Sequence, residues 1–139
     1  FSVEFVTLDE LLERSDFVSI HCVLTPETKG LIDETALRKM KGTAYLIDVS
    51  RGAIIDERAL IRAIDEDRIA GAAFDVFADE PLSADYPLLA RDNVILTPHL
   101  AWWTKEAFER VERDTLAGVR EILAGDRPEN LKNVEVLDP

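Results

Sequence analysis

Two side chains that could do chemistry stand just after predicted strands of this chain. Arg51 follows the apolar run 44–49, and His99 follows the apolar run 94–96. A guanidinium can hold the oxygens of a carboxylate with forked donors, and an imidazole can give and take a proton near neutral pH. Each residue has an ordinary alternative, since Arg51 could pair with any of 28 acidic residues and His99 could be a loop histidine.

The elements that must position these side chains alternate between helix and strand. Capping signals predict helices that begin at Thr7, Asp33 and Asp56, and a 3.6-residue apolar period predicts a long helix from 103 or 104 to about 124. Apolar runs predict strands at 17–20, 44–49, 69–76 and 94–96, the second of them buried on both faces. Such alternation indicates an α/β fold with a parallel sheet, whose ligands bind beyond the carboxyl ends of the strands.

The polar motifs at these strand ends form a recognisable set. The motifs are His21-Cys22-Val23-Leu24-Thr25-Pro26-Glu27-Thr28, Asp48-Val49-Ser50-Arg51-Gly52, Gly71-Ala72-Ala73-Phe74-Asp75-Val76-Phe77-Ala78-Asp79-Glu80-Pro81 and Thr97-Pro98-His99. In their order and spacing they resemble the D-isomer-specific 2-hydroxyacid dehydrogenase family. Residues 97–103 and 130–133 are most similar to the branch that contains the C-terminal-binding-protein corepressors and the hydroxypyruvate and glyoxylate reductases.

The resemblance implies how the chain is organised. Residues 1–102 would be the second half of a Rossmann-like dinucleotide-binding domain, and residues 103–139 a long helix and a tail that return toward a substrate domain. The Gly-rich turn G-x-G-x-x-G of such domains does not occur in these 139 residues. We therefore expect a fragment of a two-domain protein of about 300 residues or more. The residue that separates NAD from NADP would lie upstream of Phe1.

The same resemblance implies the site. Arg51, Glu80 and His99 would be the catalytic residues: Arg51 holds the substrate carboxylate, and Glu80 orients the imidazole of His99 and stabilises its charged form. Asp75 would receive the carboxamide of the nicotinamide, and Trp102 would lie over the active site. The residues expected to contact the cofactor, NAD, are Cys22, Val23, Leu24, Thr25, Thr28, Val49, Ser50, Arg51, Asp75, His99, Ala101 and Trp102.

Three interpretations of function follow from these residues. The first is an oxidoreductase that transfers a hydride between NAD(H) and a small D-2-hydroxy acid or 2-keto acid. The alternative is an NAD(H)-sensing, corepressor-like binding protein, which would not need Arg51, Glu80 and His99 together. The third, a half-domain that exists alone, would expose an apolar sheet edge and should therefore dimerise or aggregate.

The charge and the residue composition limit which classes of partner the chain can bind. A net charge of -12 argues against direct binding to nucleic acids or anionic membranes. One cysteine and two histidines argue against a cysteine-rich or histidine-rich metal site, and we expect none. Apolar runs fall short of the ~20 residues of a membrane span. We expect a cytoplasmic homodimer that acts on a small 2-keto or 2-hydroxy acid.

Overall fold

The structure, a computed structural model, describes residues 3–132. The predicted tail motif 130–133 therefore ends one residue outside the described part. The chain divides after Ala101 into two units, each of which is described by itself.

The first unit is built on a parallel sheet of four strands in the order β1-β2-β3-β4. All four predicted strands form, and their shared direction confirms the predicted α/β architecture. β1 and β4 have the predicted bounds, whereas β2 and β3 are shorter than the runs 44–49 and 69–76, because the ends of these two runs continue into the connecting loops. Their bounds are β1 Phe17–Ile20, β2 Tyr45–Asp48, β3 Gly71–Phe74 and β4 Val94–Leu96.

Three capped helices belong to this unit: α1 Leu8–Arg14 precedes β1, α2 Glu34–Lys39 connects β1 to β2, and α3 Glu57–Asp65 connects β2 to β3. Thr7 and Glu10 form the predicted capping box, and Asp33 and Asp56 each accept a hydrogen bond from the backbone at the third helical position. Two short 3-10 turns, Gly52–Ile54 and Pro87–Ala90, were not predicted, because three or four residues carry no periodic signal.

The core fills one face of the sheet. Val18, Leu46 and Ala72 lie side by side in register and are buried under the helices. The opposite face carries Phe17 and Tyr45, whose rings stack with centroids 5.5 Å apart. Tyr45 is 42% exposed, so the prediction that residues 44–49 are buried on both faces is wrong for this chain. An apolar run cannot show which of its two faces has a covering layer.

The second unit contains one long helix, α4 Lys105–Ala124. Thr104 caps its first turn, and Gly125 ends it with a φ of 83°, a left-handed conformation that favours glycine. None of the residues of α4 is buried, although the helix is amphipathic. Among residues 3–132, no helix is both long enough and apolar enough to cross a membrane.

Candidate active site

The buried carboxylate of Asp75 holds the loop that carries His99. Asp75 follows β3, and its side chain accepts hydrogen bonds from the Thr97 hydroxyl at 2.6 Å, the Leu100 N–H at 2.8 Å and the Ala101 N–H at 2.8 Å. Burial alone would raise the pKa of Asp75, but these hydrogen bonds outweigh it and hold the pKa below its ordinary value. The ionised carboxylate therefore connects the end of β3 to both sides of His99.

The backbone of His99 adopts a conformation that needs such support. Its φ is 56°, in the left-handed region that residues other than glycine seldom occupy. Such backbone strain costs about 1–3 kcal/mol and persists where the surroundings fix the chain. Here Asp75 binds Thr97 on one side of the histidine and Leu100 on the other, which holds the backbone from which the imidazole projects.

Glu80 contacts the imidazole directly. Its Oε2 lies 2.9 Å from Nδ1 of His99, and its Oε1 accepts the Phe77 N–H at 2.9 Å. The hydrogen bond with His99 and then that with Phe77 lower the pKa of Glu80. An ionised carboxylate only accepts, so Nδ1 carries the proton in this pair and Nε2 is left for another partner.

The stabilisation that the Glu80–His99 pair gives to the loop depends on pH. Because the pKa of Glu80 is depressed, its carboxylate stabilises the loop above the ordinary pKa of a glutamate. That stabilisation is lost as the pH falls through the lowered value. The pair is partly exposed, with 41% of the His99 side chain and 37% of the Glu80 side chain accessible, so solvent screens it.

Glu80 and His99 also line an apolar cleft of about 510 Å³. Its other walls include the side chains of Leu82, Leu89 and Leu96. An ionisable pair at the edge of an apolar cleft is the arrangement expected of a small-molecule site.

The third predicted catalytic residue, Arg51, lies on the loop after β2. Its guanidinium is exposed and donates from Nη1 to the Ser50 carbonyl at 2.7 Å. The positive charge of Arg51 makes a small contribution to the lowered pKa of Glu80. The structure thus brings Glu80 and His99 into contact and places Arg51 at the same edge of the sheet.

A second groove, of about 540 Å³, lies beyond the ends of β1 and β2. Val23, Leu24 and Val49 are exposed there by 73%, 41% and 39%, although they are apolar. Exposed apolar side chains beside a guanidinium fit a flat, charged dinucleotide, so these residues suit NAD. The predicted cofactor contacts that line this groove are Cys22, Val23, Leu24, Val49, Ser50 and Arg51.

The remaining predicted cofactor contacts have structural partners in the first unit. The Thr28 hydroxyl donates to the Val23 carbonyl at 2.7 Å and accepts the Thr25 N–H at 2.7 Å, which closes the loop after β1. Ala101 and Asp75 bind each other through the N–H described above. Their roles toward a cofactor stay predictions.

Trp102 belongs to the second unit. Its ring is half exposed and stacks on Trp103 with centroids 5.9 Å apart. Its predicted place over the active site stays a prediction.

Sequence reasoning missed two groups of this site. The Thr97 hydroxyl anchors Asp75, and the Phe77 N–H orients Glu80. Thr97 stands directly before Pro98-His99, and this position is the one signal that could have found it. A backbone N–H leaves no signal in a sequence.

Comparison with known proteins decides the family. Residues 1–101 match the profile described as D-isomer specific 2-hydroxyacid dehydrogenase, NAD binding domain. The chain belongs to the D-isomer specific 2-hydroxyacid dehydrogenase family. This membership confirms the predicted family, and these residues form part of its NAD-binding domain.

Three similar proteins illustrate the match. A glyoxylate reductase of Thermofilum pendens is 51% identical over 136 residues, which are 98% of this chain and 40% of that protein. A family member from Lactobacillus delbrueckii ssp. bulgaricus, solved in its NAD-complexed form, superposes with a TM-score of 0.83 at 33% identity and covers 93% of this chain and 43% of its own.

The third, a dehydrogenase of the same family from Xanthobacter autotrophicus Py2 in complex with NADPH and MES, has a TM-score of 0.74 at 39% identity, with 88% of this chain and 50% of that chain covered. The chain therefore spans 40% of the length of the glyoxylate reductase.

Replacing Asp75 by alanine should release the His99 loop. Hydrogen bonds to charged groups contribute about 1.5–3 kcal/mol each, and every 1.4 kcal/mol is a factor of ten. We expect amide exchange at Leu100 and Ala101 to accelerate about tenfold or more in Asp75→Ala. Thr97→Val is the matched control, since it leaves both amide hydrogen bonds intact. Unchanged exchange in Asp75→Ala would show that the carboxylate does not hold this loop.

Proposed function

We propose that the protein containing this chain transfers a hydride between NAD(H) and a small D-2-hydroxy acid or 2-keto acid. The single observation that carries the proposal is the contact of Glu80 with His99 Nδ1 at the carboxyl edge of a parallel sheet. It leaves Nε2 free to serve the oxygen of a substrate. The similarity to a protein named glyoxylate reductase supports a small keto acid as the substrate.

The residues of the site divide the reduction into separate tasks. When bound, NADH would supply the hydride that reduces the carbonyl carbon of the substrate. His99 donates a proton from Nε2 to the carbonyl oxygen, and Glu80 stabilises the imidazolium before that transfer. Arg51 holds the substrate carboxylate through its forked donors. In the oxidative direction His99 takes the proton from the hydroxyl.

The groove beyond β1 and β2 would hold the cofactor. Its apolar side chains Val23, Leu24 and Val49 would cover the cofactor's flat rings. NAD is the proposed cofactor, and relatives solved with NAD and with NADPH make the comparison of both a necessary assay. The relatives described above give no support to the corepressor-like alternative.

We also propose that the protein works as a homodimer in the cytoplasm. The exposed apolar side chains of α4, among them Leu116 at 63% and Ile122 at 63%, support an association surface. The single cysteine suits a reducing compartment. A solution mass equal to one full-length chain would contradict the dimer.

Removing the imidazole should abolish most of the turnover of the full-length protein. General acid–base catalysis contributes about 10²–10⁴-fold, so His99→Ala should lower kcat for glyoxylate reduction at least ~100-fold. Lys41→Ala is the control, because Lys41 pairs with Asp16 at 2.8 Å on the segment before β2 and lines neither groove. Near-normal kcat in His99→Ala would remove His99 from the mechanism. If the wild-type protein reduces no 2-keto acid with either nicotinamide cofactor, the proposed function fails.

Replacing Glu80 by glutamine should change the pH dependence of reduction. Glutamine keeps the size of the side chain but loses the negative charge that favours the imidazolium. Glutamine also does not titrate, so the acid limb that protonation of Glu80 gives to the profile of kcat/KM against pH for keto-acid reduction should be absent in Glu80→Gln. Asp79→Asn, a neighbouring charge removal, is the control. A Glu80→Gln profile that superposes on the wild type would show that Glu80 does not act on His99.

A further inference from the structure

Gly52 lies against the backbone of another catalytic loop. A Cβ at Gly52 would be 2.2 Å from the Phe77 carbonyl carbon, 2.5 Å from Phe77 Cα and 2.5 Å from the Ala78 nitrogen. Real Cβ atoms do not come this close to other atoms, and all three neighbours belong to the main chain. A side chain at residue 52 therefore requires that one of the two loops move.

A buried carboxylate holds the same loop from the other side. Asp48, at the end of β2, is fully buried, and its Oδ1 accepts the Ser50 N–H at 2.7 Å and the Ser50 hydroxyl at 2.6 Å. Among the described residues, its Oδ2 is buried and finds no donor. Arg51 is thus flanked by one residue bound to Asp48 and by one residue in contact with the Phe77–Ala78 backbone.

The backbone that Gly52 touches also orients Glu80. The Phe77 N–H donates to Oε1 of Glu80, and Oε2 of the same carboxylate binds His99. One short segment of main chain therefore contacts the Arg51 loop and the Glu80–His99 pair. A displacement at Gly52 would change the distance between the guanidinium and the imidazole.

We propose that Gly52 is a positioning residue that sets the place of Arg51 relative to the Glu80–His99 pair. It acts through the close approach of its Cα to the Phe77–Ala78 backbone, which glycine alone allows. This inference rests on the proposed function, because the two groups that it relates are those that would hold the substrate carboxylate and protonate the carbonyl.

The test compares two glycines with the same kind of close approach. Gly71 lies at the start of β3, where a Cβ would be 2.3 Å from the Asn93 carbonyl oxygen. Both Gly52→Ala and Gly71→Ala should lower the melting temperature of the full-length protein. A smaller folded fraction lowers the apparent kcat but leaves KM unchanged. Loss of a hydrogen bond to a charged group weakens binding about tenfold or more, so we expect Gly52→Ala, which displaces the guanidinium, to raise KM for glyoxylate at least ~10-fold.

Gly71→Ala should leave KM for glyoxylate within about twofold of the wild-type value. Gly71 lies at the start of β3, away from the site residues, and substitutions at distant positions seldom affect one another. An unchanged KM in Gly52→Ala, or an equal rise in both variants, would overturn the inference. Wild-type protein without keto-acid reductase activity would instead overturn the proposed function on which it rests. If the wild-type protein is active and the KM of Gly52→Ala is unchanged, only the role of Gly52 is overturned.

A double-mutant cycle shows whether Gly52 acts through Arg51. Arg51→Ala alone should raise KM for glyoxylate, because the carboxylate loses its partner. If Gly52 acts by placing this guanidinium, Arg51→Ala with Gly52→Ala should have the KM of Arg51→Ala alone. Multiplicative effects of the two substitutions would mean that Gly52 acts independently of Arg51 and would overturn the proposal.

A second variant decides the matter if Gly52→Ala does not fold. Asp48→Ala leaves the Gly52 contact in place but releases Ser50 from the other side of the loop. Because the Gly52 contact is kept, Arg51 should keep its place, and KM for glyoxylate in Asp48→Ala should stay within about threefold of the wild-type value. A rise of ~10-fold or more in Asp48→Ala, with no further rise when Arg51→Ala is added, would show that Asp48 rather than Gly52 places Arg51 and would overturn the proposal.

Discussion

The carboxylate of Asp75 is the interaction on which the geometry of the site depends. Three donors from the loop 97–101 converge on one side chain that is 3% exposed at the end of β3. Without them the loop would keep, within residues 3–132, only the Thr97 N–H bond to the Phe74 carbonyl as its backbone tie to β3, and the positive φ of His99 would lose its support on the Leu100 side. A buried charge is costly, and here its hydrogen bonds offset that cost while they fix a strained backbone.

The parallel sheet explains why three separate loops can cooperate. β2, β3 and β4 are neighbours and run in one direction, so their carboxyl ends deliver Arg51, Asp75 and His99 to one edge. The contacts between the loops then refine this coarse placement. Asp75 joins the β3 end to the β4 loop, Glu80 joins the β3 loop to His99, and Gly52 brings the β2 loop against Phe77.

Local signals made much of the fold predictable. Thr7, Asp33 and Asp56 cap their helices as predicted, because a capping oxygen acts on an amide only two or three residues away. The set of strand-end motifs also indicates the family. The Glu80–His99 contact was expected only through that resemblance, because 19 residues separate the two side chains in sequence.

The features that escaped prediction depend on neighbours distant in sequence. The close approach of Gly52 to Phe77 involves two loops, and the sequence around a glycine does not indicate which segment of the chain packs against it. The exposed Tyr45 shows the same limit, since an apolar strand does not reveal whether one or both faces are covered. The hydrogen bonds of both Asp75 oxygens with the loop were likewise not predicted, and the contact of Asp75 with a cofactor stays a prediction.

The central claim is that Glu80 fixes the His99 imidazole so that Nε2 faces the substrate. Nitrogen-15 NMR of the histidine ring nitrogens in the full-length protein tests it most directly, because the signals that disappear in His99→Gln are those of His99. We predict that neutral His99 carries its proton on Nδ1 and that Glu80→Gln weakens this preference. A proton on Nε2 in the wild-type protein, or a tautomer that Glu80→Gln leaves unchanged, would contradict the account.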